Sequence, residues 1–155
     1  MKKLLFLLLI TSTFNFSSQA QSAAKAVYAE LGGPGIASIN YDMRFKKEQA
    51  GLGFRVGVGG FAIDGSSVII VPVGLNYLIG KDEKNYFEVG AGFTYLGGKD
   101  DYSSGNFSSS FGNLTIGYRL APANGGFFFK AEITPVFGKG FFIPYYGGIG
   151  FGYKF

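Results

Sequence analysis

Histidine, cysteine and tryptophan are all absent from this chain. Without histidine a Ser-His triad cannot be assembled, and without either histidine or cysteine no metal centre of the usual nitrogen and sulfur ligands can be built. The missing cysteine also excludes a disulfide framework and a lipid-anchored lipoprotein. Charge is thin, at 15% of residues, and no stripe of lysine and arginine marks a nucleic-acid partner. Long apolar runs are missing as well. The stretch LLFLLLI, Leu4 to Ile10, is far shorter than the roughly 20 residues that a membrane-spanning helix needs.

That short run has another use. It follows Met1, Lys2 and Lys3 and leads to Ser18, Gln19 and Ala20, the small-x-small spacing of a signal-peptidase site. Residues 1–20 therefore read as a secretory signal peptide cleaved before Gln21, and residues 21–155 as one domain. Removing Lys2 and Lys3 takes the 14 basic residues to 12 against 10 acidic ones, a net charge of only +2.

What is abundant is glycine, with 26 residues, beside 18 phenylalanines and 10 tyrosines. No helical period runs through the sequence. A two-residue alternation recurs instead, broken by Gly, Asn, Asp and Ser clusters, which predicts strands joined by turns. Eight are expected: 25–31, 36–45, 52–60, 67–79, 85–96, 111–120, 127–137 and 141–155. The longest connection falls at Gly97 to Ser110. Pro72, Pro135 and Pro144 interrupt predicted strands and remove ladder hydrogen bonds there.

The sense of the alternation decides between water and lipid. In the fifth strand Phe87, Val89, Ala91, Phe93 and Tyr95 oppose Glu88, Gly90, Gly92 and Thr94; in the sixth Leu114, Ile116, Tyr118 and Leu120 oppose Asn113, Thr115, Gly117 and Arg119. The apolar face is large and aromatic, whereas the polar face carries the glycines. An eight-stranded interior is only wide enough for side chains or one small ligand. Roughly five large apolar residues from each strand would overfill it, so the glycine face must be the inside and the aromatic face must meet lipid. The fold expected is all-β: an eight-stranded antiparallel up-and-down transmembrane β-barrel.

Glu30, Asp42, Arg44, Arg55, Glu88, Arg119, Lys130, Glu132 and Lys154 then point inward. Charges in a narrow lumen persist only when paired, so a plugging ion-pair network is expected rather than an open pore. The stretch GLGFRVGVGG lacks the helix that a nucleotide-binding loop requires and alternates like its neighbours. No cofactor, metal or catalytic residue is expected.

The final strand sets Ile149, Phe151, Tyr153 and Phe155 on the lipid face and ends the chain on phenylalanine. With that ending the whole of 21–155 resembles the small eight-stranded bacterial outer-membrane barrels of the OmpA and OmpX type. The resemblance implies a Gram-negative outer membrane reached through the general secretory pathway, contact with outer-membrane lipid and lipopolysaccharide, and a monomer. It also implies that Ile149, Phe151, Tyr153 and Phe155 are read by the barrel-assembly machinery after periplasmic chaperones have carried the chain. Both termini would be periplasmic, leaving the turns at 32–35, 62–66, 97–110 and 138–140 outside the cell. The expected role is structural or at the envelope surface, without catalysis. The alternatives are handling of small solutes or lipid through a lateral opening near Pro135 and Pro144, and adhesion through the loop 97–110 with Tyr102 and Phe107 as contacts.

Overall fold

The computed structural model describes residues 23–63, 66–100 and 105–155. The signal peptide read at 1–20 and its cleavage site lie outside these residues. Among the described residues ten strand segments follow one another: β1 (Lys25–Gly32), β2 (Ala37–Arg44), β3 (Gly51–Ile63), β4 (Ser66–Ile79), β5 (Asn85–Asp100), β6 (Gly105–Leu120), β7 (Gly126–Ile133), β8 (Val136–Gly138), β9 (Phe141–Ile143) and β10 (Gly147–Lys154). Every pairing is antiparallel, from β5 through β4, β3, β2, β1, β10 and β7 to β6, and β5 pairs with β6 to close the ring. Segments β8 and β9 extend the lines of β7 and β10, so the barrel has eight staves.

Side chains alternate across the wall as the residue pattern dictates. Glu88, Thr94, Thr115 and Arg119 are buried, while Phe87, Phe93, Leu114, Ile116 and Tyr118 lie exposed on the outer face. Glycines make the inner face narrow enough to close. A Cβ on Gly152 would come within 2.1 Å of the Val27 carbonyl and 2.5 Å of Tyr28 Cα, both backbone atoms that cannot move aside.

The structure corrects the sequence reading in one place and adds to it in two. Gly97 to Ser110 is not one long loop. The β5–β6 ladder runs without a break to Asp100 opposite Gly105, leaving 101–104 as the connection. Secondly, the turn after β1, expected only as a turn at the end of the barrel opposite the chain termini, folds down into the barrel. Residues Gly33–Gly35 form a single 3-10 turn, fully buried in the barrel mouth, where Thr94 Oγ1 donates to the Pro34 carbonyl at 2.7 Å. A Cβ on Gly33 would strike the Glu30 and Glu132 carboxylates, so this cork needs glycine to descend that far.

Thirdly, the prolines divide the last two staves. β7 ends before Thr134 and Pro135, and β9 and β10 are separated by Pro144, Tyr145 and Tyr146. Ile133 faces Gly147 on one side of the gap and Val136 faces Ile143 on the other, so two residues oppose three. The extra residue makes a bulge, and Tyr145 at its tip is 93% exposed. Bonds from Thr134 N to the Tyr146 carbonyl (2.6 Å) and from Leu114 N to the Pro135 carbonyl (2.9 Å) hold its lower edge. Pro72 has a smaller effect: β4 passes straight through it, and only the two bridges that Val71 and Pro72 would make to β3 are lost.

Candidate functional site

The lumen is where this chain concentrates its charge. β2 supplies Asp42 and Arg44, β3 Arg55, β5 Glu88, β6 Arg119, β7 Lys130 and Glu132, and β1 Glu30. All eight are buried. Alternation forces each of them onto the inner face, and the glycines opposite leave room for long side chains to cross the barrel.

Their seven ion pairs form one unbranched string of alternating sign. Arg44 Nη2 meets Asp42 Oδ1 at 2.7 Å, and Asp42 Oδ1 meets Arg119 Nη1 at 3.0 Å. Arg119 grips Glu88 with two bonds of 2.8 Å, the bidentate geometry that suits guanidinium and carboxylate. Lys130 Nζ then bridges Glu88 at 3.4 Å and Glu132 at 2.7 Å. Arg55 continues from Glu132 at 3.8 Å to Glu30 at 3.2 Å. Four bases and four acids leave the string neutral, which is what a poorly hydrated interior requires.

Neutral amides secure its two ends. Asn76 Nδ2 donates to Asp42 Oδ2 at 2.6 Å and its Oδ1 accepts from Arg44, which also reaches the Gly51 carbonyl at 3.2 Å. Asn40 Nδ2 donates to Glu30 Oε2 at 3.0 Å. Beside the string, Tyr28 and Phe128 stack at 4.7 Å, with the Arg119 guanidinium 5.2 Å from the Phe128 ring and the Lys130 ammonium 5.6 Å from the Tyr28 ring. These two inward aromatics give the lumen an apolar layer that the alternation of polar residues did not disclose.

Lys154 points inward but stands apart from the string. Its Nζ donates to the carbonyls of Pro122 (2.8 Å) and Ala123 (2.6 Å), drawing the turn 121–125 across the end of the barrel. At the same end Asp82 accepts from the Asn85 side chain and from its backbone N–H, at 2.7 Å for the latter, which holds its carboxyl below the usual carboxylate range. The lumen is thus capped at one end by Lys154, filled by the ion-pair string, and corked by Gly33–Gly35 at the other. Among the described residues it contains no stretch of acids or bases left to select ions.

On the outer face Ile149, Phe151, Tyr153 and Phe155 form a row with 44 to 59% of their surface exposed. Phe151 contacts Phe127 and Phe129, with ring centroids 6.4 and 5.2 Å apart. Phe107 is exposed on the outward extension of β6, and Tyr102 lies outside the described residues. Sequence reasoning missed Asn40 and Asn76 as network members, although both sit on the charged face at alternate positions. It also missed Thr94 as the anchor of the cork, for which a strand threonine gives no local sign.

No protein-family profile matches this sequence, and no curated protein matches it. Among solved structures, the chain is similar to the N-terminal β-barrel domain of Pseudomonas aeruginosa OprF, at 15% identity and a TM-score of 0.64, covering 88% of this chain and 100% of that one. Two structures of Ail, the attachment invasion locus protein of Yersinia pestis, also match. The first, in complex with the heparin analogue sucrose octasulfate, does so at 15% identity over 86% of this chain and 97% of that one. The second does so at 16% identity over 86% and 99%, and both have a TM-score of 0.46. Closed on itself, apolar without and ion-paired within, the chain has the fold of the small eight-stranded outer-membrane β-barrels.

Proposed function

We propose that residues 21–155 form an integral outer-membrane barrel of a Gram-negative envelope, exported on residues 1–20 through the general secretory pathway, with a structural or envelope-surface role and no catalytic activity. The observation that carries this reading is the opposition across one wall of a neutral, fully paired string of charges and a continuous belt of exposed apolar side chains. In water such a belt would be a large unprotected patch; in a bilayer it is the required surface, and closure leaves no bare strand edge. The absence of histidine and cysteine supports a role without catalysis. Its partners are outer-membrane lipid and lipopolysaccharide along the belt, and during biogenesis periplasmic chaperones and the assembly machinery, which reads Ile149, Phe151, Tyr153 and Phe155.

Reconstitution of residues 21–155 into planar bilayers tests this reading. Heat-modifiable migration on a gel with no single-channel conductance is expected; steady conductance would replace the structural role with transport. A second reading, lipid handling through the wall, is favoured by the gap that Pro135 and Pro144 leave between the last two staves. Transfer of a labelled lipid between vesicle populations, lost when both prolines are changed to threonine, would establish it.

A further inference from the structure

The outer face carries an open hollow of about 670 Å³, bordered by Leu31, Ile116, Ala131, Ile133, Gly147 and Ile149, with Glu132 also in its lining. Its size lies in the roughly 300–1,000 Å³ range of small-molecule sites. Three departures from regular barrel construction produce it. β1 stops at Gly32 because the next three residues descend into the mouth, so the wall above Leu31 has no outer side chain. In the neighbouring stave the outward position opposite Ile133 is Gly147, and the bulge at Tyr145 carries the chain away above it. Between Ile149 and Tyr118, the outward position is only Ala131. The Phe129–Phe151 pair, 5.2 Å between ring centroids, occupies the next outward position along these two staves.

We infer that this hollow is a binding site for one acyl chain of a membrane lipid. The inference rests on the membrane reading above and adds to it a defined occupant. Leu31, Ile116, Ile133 and Ile149 give the hollow a mainly apolar lining, and it is continuous with the surface that meets hydrocarbon. It opens broadly onto the outer face, so an acyl chain can settle into it sideways from the surrounding lipid. A second copy of the barrel would have to present a protruding ridge here.

The test compares three proteins reconstituted in dimyristoyl phosphatidylcholine vesicles, extracted in mild detergent and weighed by native mass spectrometry. They are the unaltered chain, Ala131→Leu, which fills the hollow, and Ala91→Leu, which adds the same bulk to the outer face of β5. Retention of one lipid by the unaltered chain and by Ala91→Leu is expected, with at least about tenfold less on Ala131→Leu. Should Ala131→Leu fail to give a heat-modifiable barrel, Gly147→Leu fills the same space and carries the same expectation. Equal retention in all three proteins, or none in any, overturns the inference. So does a dimer of the unaltered chain that Ala131→Leu abolishes, since the hollow is then covered by a second copy. Failure of the unaltered chain to insert into the vesicles is a different result, because it removes the membrane reading and the lipid site with it.

Discussion

Arg119 sits third in the string of lumen charges, held by Asp42 on one side and Glu88 on the other. Arg119→Met would leave Arg44 with Asp42, a neutral pair, and strand five residues from Glu88 to Glu30 with one excess negative charge. Breaking a buried pair from one side costs about 3–5 kcal/mol, and urea unfolding in lipid vesicles should show a loss of that size. Adding Glu88→Gln restores neutrality to both fragments. The double variant should therefore unfold at a higher urea concentration than Arg119→Met alone; additive losses would show that the charges act as separate pairs. Which residues point inward was legible in the sequence, because alternation assigns a face to every position. Their order along the string was not, since it depends on how far each long side chain reaches across the lumen. Lys154 shares the face of the others and yet caps a turn.

At the scale of elements, strand ends were the least legible feature. The segments GGKD and GNFSSS have the composition of a loop, and only their continuous pairing makes them the outer ends of β5 and β6. The cork was hidden for a related reason: GGPG is a sound turn sequence, and nothing local says that the turn descends between Glu30 and Glu132. The prolines did mark the broken staves in advance. Amide hydrogen exchange should follow that break. The amides of Lys130, Glu132, Gly148 and Gly150 lie in the unbroken β7–β10 ladder, and those of Phe137 to Ile143 in a short hairpin above the bulge. Slow exchange is expected in the first group and fast exchange in the second; equal protection would show that the bulge does not uncouple the hairpin.

For the molecule as a whole, the balance of charge sets its response to salt. Exposed ion pairs are screened at high ionic strength and buried ones much less. Raising sodium chloride from about 0.05 to about 1 M should leave the unfolding midpoint in vesicles nearly unchanged; a marked fall would mean that solvent reaches the string. The seam that completes the wall has a consequence in time rather than in energy. Ala26 pairs with Lys154, 128 positions later (154 − 26), and Lys25 and Phe155 exchange backbone hydrogen bonds of 3.2 and 2.9 Å. Contacts so distant along the chain form slowly. Until β10 arrives, β1 waits with one edge unpaired, so no shorter intermediate can be a closed barrel. The chain must be kept from pairing with its neighbours through the whole interval between the synthesis of its first strand and the docking of its last.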